Sequence, residues 1–279
     1  MTIGVTGATG RLGGRVAQRL AAAGATQRLL VRDPARAPQL EGAKTARAAF
    51  GEFDAVRAAL DEVPIVLMVS ATEAPDRVAQ HTAFVDAAAA AGVQHVVYIS
   101  FYGAAPDATF TFARDHFATE EHIRASGMGF TFLRDNLYAD LLAFLVGSDD
   151  VIRGPAGDGR CAAVAQDDIA DATVAVLLDP TTHLGATYSL TGPQDLTLHD
   201  VAAILTTELA RPISYHPETV EEAYASRSSH GAADWEVDGW VSTYLAIANG
   251  ELAGVTEDIP NLAGHRATSV AELLHRPSS

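Results

Sequence analysis

Lysine and cysteine are almost absent from this chain of 279 residues, which contains one of each. The formal net charge is −16, with 19 lysines and arginines against 35 aspartates and glutamates. A nucleic-acid groove needs clustered basic side chains, and the sequence has no such cluster, so we expect no nucleic-acid partner. With Cys161 alone, an intramolecular disulfide and a multi-cysteine metal site are both excluded.

Long apolar runs are missing as well. No stretch of about 18 residues is free of charge and glycine, and no basic N-terminal region precedes an apolar stretch, so we expect no membrane segment. The ten histidines include no H-x-x-x-H pair on one helix with a carboxylate ligand, so we predict no metal site. Hydrophobic residues make up 48% of the chain, enough for a sizeable core. We expect a cytoplasmic protein.

A glycine-rich loop near the N-terminus is the strongest motif. An apolar run containing Ile3 and Val5 leads into residues 7–13, whose glycines have the spacing G-x-x-G-x-x-G, and a helix-like segment follows. Glycines permit a tight turn and let a phosphate approach backbone N–H groups at a helix N-terminus. A purely structural turn is the alternative, but the context favours dinucleotide binding. The predicted cofactor contacts here are Gly7, Thr9, Gly10, Arg11, Leu12 and Gly13.

Strand-like and helix-like segments alternate through the first half of the chain. After the first strand, strands are predicted at residues 27–31, 43–47, 65–69, 93–99 and 130–133, with helices at 54–60, 76–91 and 110–125. This alternation requires a parallel sheet with right-handed crossovers. We therefore predict an α/β fold with a Rossmann-like doubly wound parallel sheet.

The second half has a different pattern. Helices are predicted at residues 136–146, 167–178, 197–210, 218–226 and 234–249, strands at 187–190 and 213–216, and a glycine-rich turn region at 153–160. We expect a NAD(P)-binding Rossmann domain over residues 1–150. A smaller α/β substrate-binding region is expected over residues 151–279, partly interleaved with the first.

The end of the second strand indicates which dinucleotide binds. An acidic residue there binds the ribose 2′-hydroxyl of NAD, whereas an arginine accommodates the 2′-phosphate of NADP. Arg32 lies at this position and Arg11 lies in the glycine loop, so the sequence favours NADP(H) over NAD(H). Asp33, beside Arg32, leaves NAD(H) open. Ligands bind at the carboxyl ends of parallel strands, so Val69 and Ser70 are further predicted cofactor contacts.

Four segments resemble the NmrA-like branch of the atypical short-chain dehydrogenase/reductases. They are V-T-G-A-T-G-R-L-G-G from Val5, L-V-R-D-P from Leu30, H-F-A-T-E from His116 and T-F-L-R-D-N-L-Y from Thr131. The last is much more specific than the glycine motif, which the wider superfamily shares. Within that branch the chain is similar to NADPH-dependent quinone oxidoreductases and triphenylmethane-dye reductases.

The resemblance also exposes a missing pair of residues. Members ordinarily use a Tyr-x-x-x-Lys pair to donate a proton, but the single lysine here is Lys44. The resemblance puts His116 at the lysine position, Phe112 at the tyrosine position and Ser100 at a polar position after strand five. Reducing a ketone needs a positioned acid. A quinone or dye gives a less basic product, so orientation over the nicotinamide is the main requirement.

The predicted catalytic residues are His116, Ser100 and Tyr138. Three roles are open for His116, which are ordering the nicotinamide ribose, polarising the acceptor and donating a proton; a purely structural histidine is the alternative. The resemblance places Asn136 and Tyr138 near nicotinamide and substrate, with Asn136 as a predicted cofactor contact. Trp235 and Trp240, with Phe144 and Leu145, are candidates for lining an apolar pocket for a flat substrate, although helix packing is the commoner outcome for such residues.

The sequence therefore predicts an NADP(H)-dependent oxidoreductase that transfers hydride to a conjugated acceptor, such as a quinone, a dye or an aromatic or polyketide-like compound. The alternative is a non-catalytic NAD(P)-sensing regulatory protein of the same family. The expected partner is a small aromatic or quinone-like molecule, and a homodimer is one possible assembly.

Overall fold

The computed structural model describes residues 1–228 and 231–275. These residues divide into two compact units. Unit 1 comprises Met1–Phe101, Asp115–Arg134 and Asp167–Ser189, and unit 2 comprises Tyr102–Arg114, Asp135–Gln166 and the described part of Leu190–Ser279. The expected domain boundary at residue 150 stays a prediction.

The secondary structure alternates between strands and helices as far as β6. The strands are β1 Thr2–Thr6, β2 Thr26–Val31, β3 Ala43–Arg47, β4 Ile65–Val69, β5 His95–Phe101, β6 Gly129–Asp135, β7 Val151–Gly154, β8 Arg160–Cys161, β9 Thr187–Leu190, β10 Leu196–Thr197 and β11 Ser214–Pro217. The α-helices are α1 Arg11–Ala22, α2 Phe53–Ala59, α3 Arg77–Ala90, α4 Thr111–Ala125, α5 Gln166–Leu178, α6 Leu198–Glu208, α7 Val220–Ser228, α8 Asp234–Ala248, α9 Asp258–Ala263 and α10 Val270–His275. Short 3-10 helices cover Pro34–Arg36 and Ala139–Leu145.

Unit 1 is built on a seven-stranded sheet with the order β3-β2-β1-β4-β5-β6-β9. Strand β1 pairs in parallel with β2 on one side and with β4 on the other. The order therefore reverses between β1 and β4, which is where doubly wound sheets bind their ligands. The predicted Rossmann-like doubly wound parallel sheet is confirmed.

The core of unit 1 follows from its strand sequences. Strand β4 is the continuous apolar run I-V-L-M-V, and all seven residues of β5 are buried, as expected when helices cover both faces of a sheet. Large fully buried side chains in the core include Phe84, Tyr98 and Phe132. This packing fixes the strand ends from which the functional loops leave.

Unit 2 contains two small sheets and most of the C-terminal helices. Strand β8 pairs antiparallel with β10, and β7 pairs in parallel with β11. Helix α6 begins with a capping box, in which the Thr197 hydroxyl accepts from Asp200 N–H and the Asp200 carboxylate accepts from Thr197 N–H. Among the described residues, no helix is long and apolar enough to cross a bilayer.

The predicted helix over residues 136–146 is wrong in its bounds and type, because a 3-10 helix covers only Ala139–Leu145. Backbone groups before it bond elsewhere. The Asn136 side chain accepts from Leu137 N–H, and Ala139 N–H donates to the Val164 carbonyl. In the predicted turn region at 153–160, the first two residues, Arg153 and Gly154, belong instead to strand β7.

Candidate functional site

The glycine turn after β1 has a geometry that side chains would obstruct. Gly7 has a φ of +66°, and Gly10 N–H donates to the Gly7 carbonyl at 2.8 Å. A Cβ added at Gly13 would lie 2.4 Å from that same oxygen. The turn therefore needs glycine at Gly7 for its backbone angle and at Gly13 for close packing of helix and turn.

The loops after β1 and β4 are fastened to each other within unit 1. The Thr6 hydroxyl accepts from Val69 N–H at 2.8 Å and donates to the Leu67 carbonyl at 3.1 Å. Helix α1 begins after Gly10 with no side-chain capping bond and no acidic residue in its first turn. First-turn N–H groups and the helix dipole together favour an anion at this end.

Three arginines lie in the glycine turn or beyond the end of β2. Arg11, Arg32 and Arg36 are all exposed. The Asp33 carboxylate accepts from Ala35 N–H at 3.0 Å and caps the 3-10 helix that follows. The acidic group that left NAD(H) open in the sequence therefore has a local structural partner. Arg36, which the sequence reasoning did not single out, is a second cation beyond this strand end.

His116 lies buried on α4 among other side chains of unit 1. Its Nδ1 is 2.9 Å from the Tyr98 hydroxyl, and its Nε2 is 3.2 Å from the Arg77 guanidinium. Burial, and after it the positive charge of Arg77, lowers the pKa of His116 well below its ordinary value. The ring is therefore neutral at physiological pH.

Two residues of α3, which the sequence reasoning missed, hold the loop after β4. Arg77 Nε donates to the Ala71 carbonyl at 3.0 Å, and His81 Nε2 accepts from Ala71 N–H at 2.9 Å. Ala71 directly follows Ser70, a predicted cofactor contact. The available signal was the i, i+4 spacing of the two residues, which places them on one helix face.

Ser100 is fully buried at the end of β5, and its hydroxyl donates to Glu120 at 2.6 Å. Glu120 also accepts two hydrogen bonds from Arg134, at 2.8 and 2.7 Å. The serine is thus part of a buried ionic cluster. Its predicted catalytic role stays a prediction.

Asn136 and Tyr138 belong to unit 2 and both have protein partners. The Asn136 amide donates to the Leu252 carbonyl at 3.0 Å and accepts from Leu137 N–H at 2.8 Å. The Tyr138 hydroxyl donates to Asp135 at 3.0 Å. These bonds order the segment after β6, and the roles of both residues in cofactor and substrate contact stay predictions.

Unit 2 contains an apolar cavity of about 420 Å³ that is open to solvent. Aliphatic and aromatic side chains dominate its wall, among them Leu142, Leu198, Ile247, Tyr138, Trp240 and Tyr244. Ligand pockets of small molecules have volumes of roughly 300–1,000 Å³ and mostly apolar walls. The cavity can therefore hold one or two fused rings.

The comparisons with known proteins agree with this arrangement. Residues 1–227 match the sequence model of the NmrA-like family. The chain belongs to the NmrA-like family. It is 32% identical to the NAD(P)H azoreductase of Xenophilus azovorans, over 96% of this chain and 95% of the relative. It is 31% identical to quinone oxidoreductase 2 of Escherichia coli, over 97% and 96%.

The chain is also similar to a solved structure of a reductase. The triphenylmethane reductase of Citrobacter sp., complexed with NADP(H), matches with a TM-score of 0.85 and 28% identity, covering 98% of both chains. In this NmrA-like chain, the glycine turn, Arg32, Val69 and Ser70 of unit 1 lie at the carboxyl ends of the neighbouring strands β1, β2 and β4. These predicted dinucleotide contacts lie in unit 1, whereas Asn136 lies in unit 2, and all of them stay predictions.

Proposed function

We propose that this chain is an NADPH-dependent reductase that transfers hydride to a conjugated acceptor such as a quinone or a dye. The observation that carries the proposal is the apolar cavity of about 420 Å³ in a chain that also has a dinucleotide turn. Relatives named as an azoreductase, a quinone oxidoreductase and a triphenylmethane reductase support the same reaction class.

The dinucleotide fits the glycine turn of unit 1. Backbone N–H groups at the start of α1 would hold the pyrophosphate, and Gly13, which has no Cβ to meet the Gly7 carbonyl, lets the turn pack closely against this helix. Arg32 and Arg11 would pair with the 2′-phosphate. When bound, the reduced nicotinamide supplies the hydride.

The acceptor binds in the cavity of unit 2 in this proposal. Burial of a planar ring against leucine, tyrosine and tryptophan side chains supplies binding energy at about 25 cal/mol per Å² of apolar surface removed from water. Tyr138 and Trp240 present ring faces or edges suited to a flat aromatic molecule. Orientation of the acceptor, rather than acid catalysis, is then the contribution of this wall.

The reaction proceeds without a Tyr-x-x-x-Lys pair in this account. Phe112 packs on Trp235 with ring centroids 6.0 Å apart and has no proton to give. His116 is neutral, and both of its ring nitrogens have partners. We assign it a positioning role, in which it orients Arg77 and through it the loop after β4, while solvent supplies the proton to the reduced acceptor.

A variant that fills the cavity tests where the acceptor binds. Thr243 lies on α8 in the cavity wall and is half-buried. Thr243→Phe should raise the KM for menadione by roughly tenfold, because the added ring occupies acceptor space. The dissociation constant for NADPH should not change.

Thr243→Val is the matched control, since it also loses the hydroxyl bond to the Gly239 carbonyl but adds no ring, and it should leave the KM for menadione within about twofold. An unchanged menadione KM in Thr243→Phe would place the acceptor outside this cavity. NADPH binding without oxidation by any quinone or dye would instead support the non-catalytic sensor.

The expected homodimer stays a prediction, which light scattering can test.

A further inference from the structure

The acceptor cavity has a single charged side chain among the described residues that line it, Arg227. This arginine lies in the last turn of α7 and is nearly buried, with 12% of its side chain exposed. A buried guanidinium without a counter-charge would attract any anion that entered the cavity. What neutralises Arg227 therefore decides which acceptors the cavity takes.

Glu218 is the counter-charge. Its carboxylate accepts from Arg227 Nη1 at 2.8 Å, and 5% of its side chain is exposed. The glutamate is not part of the cavity wall among the described residues, so it cancels the charge from behind the arginine. The cavity is consequently close to neutral.

The remaining bonds of Arg227 hold its guanidinium in place. It donates to the carbonyls of Ala223 and Arg153 at 3.0 and 3.1 Å. Its charged carbon lies 5.0 Å from the centre of the Tyr244 ring, a second wall residue. Together with a bond from Nη1 to the Ser226 hydroxyl at 3.0 Å, these contacts hold the guanidinium in place within unit 2.

We propose that the Arg227–Glu218 pair excludes anionic acceptors from the cavity, with Glu218 as the specificity-determining residue. This inference rests on the proposed function of the cavity as the acceptor site. A sulfonate or carboxylate on the acceptor would lose its hydration in an apolar cavity and gain no net positive charge in return. The chain's net charge of −16 opposes its approach as well.

The experiment compares 1,2-naphthoquinone with its 4-sulfonate, which carries one negative charge. In the natural chain, kcat/KM should favour the uncharged quinone. Glu218→Gln keeps the side-chain shape and removes the negative charge that pairs with Arg227. It should shift the ratio of the two kcat/KM values roughly tenfold or more toward the sulfonate.

Glu221→Gln is the matched control. Glu221 is exposed in the first turn of α7, the helix that contains Arg227, and the change in net charge is identical. Its ratio should move by less than about twofold. If Glu218→Gln does not fold, the double variant Glu218→Gln/Arg227→Gln removes both charges and should keep the natural preference for the uncharged quinone. Loss of sulfonate turnover alone in that double variant would instead make Arg227 an anion site.

A binding measurement separates this inference from the proposed function. In a Trp235→Phe background, the remaining tryptophan is Trp240 in the cavity wall, and its fluorescence reports occupancy directly. The uncharged quinone should bind more tightly than the sulfonate whether or not NADPH is consumed. Absence of NADPH oxidation with both quinones would defeat the proposed function. Equal affinities for both quinones, or an unmoved ratio in Glu218→Gln, would defeat the inference about the ion pair.

Discussion

The guanidinium of Arg77 lies 3.2 Å from Nε2 of His116, and both side chains are buried. Arginine only donates hydrogen bonds, so Nε2 accepts and the ring proton resides on Nδ1, which faces the Tyr98 hydroxyl. The structure thus assigns one neutral tautomer to His116. A neutral ring held from both sides orients its neighbours rather than supplying a proton.

The neighbouring His81 makes stability depend on pH. Burial and then the charge of Arg77 lower the pKa of His81 from 6.5 to about 3. The unfolded chain therefore binds a proton below pH 6.5 that the folded chain refuses, so stability falls as pH falls from 6.5 toward 3. His81 alone should cost about 2 kcal/mol at pH 5 relative to pH 8.

Urea unfolding at several pH values measures this slope. His81→Gln should make the slope less steep between pH 6.5 and 5, whatever its overall stability, while the lowered pKa of His116 keeps part of the slope. Thr119→Val is the control, because it removes the hydroxyl that lies 2.8 Å from His81 Nδ1 but keeps the titrating ring. An unchanged slope in His81→Gln would contradict a depressed pKa at this histidine.

The glycine turn gives a second prediction. Gly13→Ala should raise the dissociation constant for NADPH roughly tenfold or more, because its Cβ would lie 2.4 Å from the Gly7 carbonyl oxygen. Isothermal titration calorimetry measures the affinity and thermal unfolding measures the fold. Gly14→Ala is the matched control, since its Cβ would meet only the Ala8 carbonyl, at 3.2 Å. Comparable NADPH affinity in both variants would show that the turn does not hold the pyrophosphate.

Much of unit 1 could be predicted from the sequence because its strands are continuous apolar runs punctuated by glycine. Strands β3 and β4 have the predicted bounds. The segment after β6 could not be predicted in the same way. Its helical periodicity is overridden by hydrogen bonds of Asn136 and Ala139 to other parts of the chain, which a local pattern does not contain.

The candidate site shows the same division. The glycine turn and Arg32 carry local signals, so the sequence located them. Arg77 lies 39 positions from its partner His116 in the sequence, and Glu218 lies 9 positions from its partner Arg227. The significance of both pairs depends on their burial, which the sequence does not give. Of the four candidate pocket residues, Trp240 and Leu145 line the cavity. Trp235 packs on Phe112 instead and Phe144 is exposed, so neither is among the described residues of the cavity wall. No spacing in the sequence indicates that Glu218 neutralises that wall.

The 2′-phosphate gives a third prediction. Arg32→Ala should weaken NADPH binding roughly tenfold or more and leave NADH binding unchanged, because a charge-assisted pair to the phosphate is lost. Arg57→Ala controls for net charge, since Arg57 is exposed on α2 and pairs with Asp54 at 3.7 Å. Equal losses for NADPH and NADH in Arg32→Ala would assign the arginine to another part of the dinucleotide.

Cys161 lines the apolar cavity of unit 2, where an electrophilic quinone would meet it. Burial raises the pKa of its thiol to about 12, so the reactive thiolate is scarce at neutral pH. Intact-mass spectrometry after incubation with menadione should show no adduct on the folded chain and one adduct after unfolding in urea. Rapid stoichiometric modification of the folded chain would contradict this protection.

In the proposed reaction, the dinucleotide held at the glycine turn is consumed as a reductant. Anaerobic stopped-flow measurement of NADPH absorbance with 1,2-naphthoquinone follows this consumption. We expect one hydroquinone formed for each NADPH oxidised, and loss of that reaction at fixed subsaturating NADPH in Gly13→Ala. Tight NADPH binding with no oxidation by this quinone, by menadione or by a triphenylmethane dye would contradict it.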